Sequence, residues 1–68
     1  MIQNDAQLQQ AIEQIGRLYQ GLDSLRAEIL PKNPRNFALF AEGPLDEIQK
    51  LQTEIADYVG RLEHVGAA

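Results

Sequence analysis

The chain has 68 residues with ten acids, six bases and no cysteine, a formal net charge of −4. That length limits it to one domain with a modest core, and the missing cysteines exclude a disulfide framework and thiolate chemistry. The acidic balance disfavours direct nucleic-acid binding, which rests on many Lys and Arg contacts to phosphate, and docking on anionic membrane surfaces. No apolar run approaches the roughly 20 residues needed to span a bilayer. The opening MIQNDAQLQQ lacks the apolar core of a signal peptide. These absences place the expected protein in the cytoplasm.

Residues 5–30 read as one helix. Leu8, Ile15, Leu22 and Ile29 recur every seven residues, and Ala11, Leu18 and Leu25 fill the second seam position. Ile12 and Tyr19 widen this stripe on one side, as on a bundle helix rather than a narrow two-stranded seam. Asn4 is the expected N-cap, with Gln7 completing a capping-box pattern and Asp5 suited to the positive end of the helix dipole. Pro31 disfavours helical geometry at Leu30 and should stop the helix there.

The stretch NPRNFALFAEGP, residues 33–44, holds both phenylalanines of the chain, Phe37 and Phe40, with Leu39 between them. Asn33 suits an N-cap, Pro34 the first helical position and Gly43 a terminator. The pattern predicts a short helix over 34–42 that turns sharply at Gly43–Pro44. The alternative is one long helix kinked at that pair. Two phenylalanine side chains present enough apolar area to require burial, either as a plug at the bundle end or as an anchor for another protein.

Residues 44–63 read as the last helix, with Pro44 at its first position and Asp46 and Glu47 in its first turn. Ile48, Ile55 and Leu62 form one seam; Leu51, Tyr58 and Val65 form the other, flanked by Val59 and Leu45. Glu13/Arg17, Asp46/Lys50 and Asp57/Arg61 place an acid four residues before a base, the favourable orientation on a helix surface. The tail 64–68 is expected to fray.

No catalytic, metal or cofactor constellation stands out. Glu54 and Asp57 are three apart, but no histidine completes the Glu-x-x-His pattern of a di-metal bundle, and Asp57 faces outward. His64 is the only histidine and Ser24 the only serine, too far apart in context to form a triad. Lys32 and Arg35 are too few for a nucleic-acid patch.

Ile2, Asn4 and Gln7 in the opening segment, with Ile48, Leu51, Glu54, Ile55 and Tyr58 in IQKLQTEIADYVGRL, resemble the N-terminal helical segment of helix-turn-helix antitoxins and regulators from bacterial toxin–antitoxin operons. No helix-turn-helix follows within these residues, so DNA binding is not carried over. The resemblance implies a bacterial helical module that dimerises or grips a partner protein.

The expected architecture is a single all-α domain: an antiparallel helical hairpin with a short third helix in the connection, dimerising into a coiled-coil-like four-helix bundle. Its seam would be Leu8, Ile12, Ile15, Leu18, Tyr19, Leu22, Leu25, Ile29, Ile48, Leu51, Ile55, Tyr58, Val59 and Leu62. Phe37, Leu39 and Phe40 would be the partner-binding residues. The expected function is a non-enzymatic protein–protein interaction module, regulatory or antitoxin-like. A structural homo-oligomer is the alternative, and a small ligand-binding bundle a remote one.

Overall fold

A computed structural model describes residues 1–67, without the side chains of 64–67. The backbone forms two helices, α1 over Asp5–Glu28 and α2 over Pro34–Ala67. Among the described residues there is no strand. The two helices pack side by side as an antiparallel hairpin, giving a rod 54 × 18 × 15 Å. Its radius of gyration is 15.6 Å. A compact chain of this length would have about 11 Å.

Both helix starts follow from their capping residues. The Asn4 side chain accepts from the Gln7 backbone N–H at 2.8 Å, and Asn33 accepts from the Asn36 N–H at 3.1 Å. Gln7 reaches back to the N–H of Gln3 at 2.7 Å rather than to that of Asn4, so the capping box is displaced by one residue. α1 ends at Glu28, two residues before the expected boundary. The turn is closed by the N–H groups of Lys32 and Asn33, both donating to the Ile29 carbonyl at 3.0 and 2.7 Å.

The expected short helix over 34–42 is not a separate element. The helix that starts at Pro34 runs unbroken through Gly43 and Pro44, and no described glycine has a positive φ. A single long helix across Gly43–Pro44 describes the chain. The reason lies in the seam. Phe37, Ala41 and Pro44 precede Ile48 at spacings of four, three and four, so only an unbroken helix keeps Phe37 and Ala41 on the face that meets α1. Pro44 removes the helical bond to the Phe40 carbonyl.

The helical backbone also continues past residue 63, through the tail expected to fray, to Ala67. Ala68 and the side chains of His64 and Val65 lie outside the described residues.

α2 is ten residues longer than α1, an overhang of about 15 Å at 1.5 Å per residue. The segment Met1–Asn4 runs beside it. Ile2 is only 5% exposed, and its carbonyl accepts a hydrogen bond from Arg61. The Met1 ammonium lies 3.4 Å from Glu54. None of the three anticipated acid–base pairs closes; the ion pair on α1 is Arg26–Asp23 at 2.8 Å, and Arg61 sits over the Tyr58 ring at 5.6 Å.

Candidate interaction surfaces

The seam is a regular heptad on both helices. On α1, Leu8, Ile15, Leu22 and Ile29 occupy position a, and Ala11, Leu18 and Leu25 occupy d. On α2, Ala41, Ile48, Ile55 and Leu62 occupy a, and Phe37, Pro44, Leu51 and Tyr58 occupy d. Ala11, Ala41 and Ile48 are buried, and the other seam residues are half-buried except Leu62, which is 49% exposed on the overhang. No described side chain is fully buried. The smallest seam residues are Ala11, Ala41 and Pro44.

The residues expected to widen the stripe stay outside. Ile12 is 55% exposed, Tyr19 47%, Leu45 50% and Val59 41%. All four occupy position e. In an antiparallel pair the e positions of the two helices lie along the same side of the rod, and the g positions along the other. Counted back from the turn, Ile12 and Tyr19 bracket Leu45 and Gln49 along the axis. The hairpin therefore exposes these four apolar side chains along one flank, with Gln9, Gln49 and Gln52 among them.

The phenylalanine segment is split. Phe37 enters the seam, half-buried, and borders an open groove with Tyr19, Leu22, Asp23 and Arg26. Leu39 and Phe40 point away and remain 60% and 57% exposed. Phe40 occupies position g, on the flank opposite Tyr19 and Leu45, and Leu39 lies on the back of α2.

Ile2, Ala41 and Pro44 are seam or core residues that the sequence reading left out. Extending the Ile48 heptad back toward the N-terminus recovers Ala41 and Pro44. No periodicity marks Ile2, because it lies before the helix.

Titratable side chains do not converge. Among the described residues no group of three or more His, Asp or Glu could hold a metal ion, no polar or charged residue is buried, and no buried side-chain polar atom lacks a hydrogen-bond partner. One shallow depression is walled by α2 alone from Asp46 to Glu54. No described helix is long and apolar enough to cross a membrane.

No family model, curated protein or solved structure matches the chain.

Proposed function

We propose that the chain is a non-enzymatic protein–protein interaction module that works as a homodimeric four-helix bundle in the cytoplasm. The observation that carries this reading is the exposure of large apolar side chains on a hairpin that fully buries none. A chain this small, with no disulfide, gains the apolar burial it lacks by packing on other helices. Leu39 and Phe40, next to each other and exposed, are the anchor for a second protein. The resemblance of Ile2, Asn4, Gln7 and the 48–62 segment to antitoxin N-terminal helices favours a regulatory role in a bacterium.

The test is native mass spectrometry of the protein purified from its own host. A second protein at fixed stoichiometry, lost from a Leu39→Ala/Phe40→Ala variant of unchanged helicity, is the expected result. Species at multiples of the 7.6 kDa chain alone would overturn the partner site. They would favour the second reading, a structural subunit whose only partners are its own copies.

A further inference from the structure

We propose that the dimer forms through one particular face, the flank carrying Ile12, Tyr19, Leu45 and Val59, and that its occupant is a second copy of this chain. This rests on the homodimeric reading above and adds the surface.

The first observation is charge. Along the middle of the rod, Glu13, Arg17, Asp46, Glu47, Lys50, Glu54, Asp57 and Arg61 all fall at positions c, f or g. Positions e and b from residue 9 to 19 of α1, and from 45 to 59 of α2, hold no charge, while Asp23, Arg26 and Glu42 occupy these positions toward the turn and Asp5 toward the other end. The uncharged stretches carry the four exposed apolar residues, glutamines, Gly16 and Ala56. A charge-depleted centre containing an aromatic residue is the composition of an interface core. It also suits self-association in particular. Two copies of a chain of charge −4 repel, and a charge-free centre with its charges at the two ends keeps most of their acids out of the contact.

The second observation is area. The chain exposes 5246 Å². A monomer of 7.6 kDa is expected to expose about 4,300 Å². The surplus, roughly 950 Å², is spread over the elongated rod and exceeds the 800 Å² or so that each partner buries in a stable interface of standard size. The third is shape. Gly16 presents no side chain between Ile12 and Tyr19, and the space above it is open, as it is above Gly21, Gly43 and Gly60.

Analytical ultracentrifugation of the full chain at about 1 to 100 µM, the span in which weak to moderate association shows, tests this with Ile12→Lys, Leu45→Lys and Phe40→Lys variants. The expected result is a wild-type dimer at twice 7.6 kDa. Ile12→Lys and Leu45→Lys should each weaken it at least tenfold, and Phe40→Lys should leave it intact. A wild-type monomer throughout would overturn the homodimeric reading and this face together. A dimer indifferent to both flank lysines would overturn the face alone.

If the lysine variants fail to fold, single cysteines decide, because the natural chain has none. A thiol at Gly16→Cys should lose reactivity as the concentration rises, while one at Gln20→Cys, on the back of α1, should not. Equal reactivity at both positions at all concentrations would refute the proposal.

Discussion

Arg61, near the C-terminal end of α2, donates a hydrogen bond to the backbone carbonyl of Ile2, 59 residues away in sequence. This contact, with the Met1–Glu54 ion pair, fastens the N-terminal segment against α2. Ile2 becomes one of only four buried hydrophobic residues among those described. The core at this end of the rod is therefore supplied by a segment outside any helix.

Ile2→Ala should cost about 2 kcal/mol of unfolding free energy, the low end for truncating a buried aliphatic side chain, because the site lies at the end of the fold and can partly collapse. Arg61→Ala should cost less than about 1 kcal/mol, since Arg61 is exposed and water can replace it at the carbonyl. Urea titrations at one fixed protein concentration give the order. An Arg61→Ala loss larger than that of Ile2→Ala would mean that the hydrogen bond, rather than burial, holds the segment.

The two phenylalanines should separate cleanly. Phe37→Ala removes a seam side chain and should destabilise by about 2–3 kcal/mol. Phe40→Ala touches an exposed position and should stay within about 0.5 kcal/mol. Equal losses in thermal or urea unfolding would place Phe40 inside an assembled interface, contrary to its assignment as a free anchor.

Pro44→Ala restores an N–H that can bond the Phe40 carbonyl, in a helix whose proline costs about 3 kcal/mol. Part of that gain is lost, because proline restricts the unfolded chain and its ring contributes to the half-buried seam. A net stabilisation of about 1–2 kcal/mol is expected, below the full proline cost. Slower amide exchange around residue 44 should accompany it. A destabilised variant would show that the ring's packing outweighs the hydrogen bond.

Gly21→Ala should stabilise by about 0.5–1 kcal/mol, the helix-propensity difference between the two residues. A Cβ there meets no atom within 4 Å, and position g lies opposite the flank proposed to dimerise. Its melting temperature should rise with no change in sedimentation. A drop would mean that another chain occupies the space beside Gly21.

Helix positions were legible because the signals for them are local. Asn4 and Asn33 cap where their side chains can reach the third following N–H, and the heptad of Leu8 to Ile29 marks α1's inner face from spacing alone. Gly43 and Pro44 misled for the same reason. Read locally they are a stop signal, and no local term contains the register that Phe37 and Ala41 share with Ile48 across them. The three acid–base pairs were likewise good local geometry that the exposed side chains do not adopt. Arg61 instead reaches Ile2 and the Tyr58 ring.

By itself, the sequence determined helix on either side of residues 31–33, the caps Asn4 and Asn33, and the apolar stripes of 8–29 and 48–62, because all of these depend on residues within a few turns of one another. Tertiary structure decided that α2 is unbroken, that Ile2 joins the core, and that Phe37 is taken into the seam while Phe40 is not. Each of these depends on where one helix lies against the other, and a stripe wider than its partner can cover does not reveal which edge will be left outside until the two helices have met.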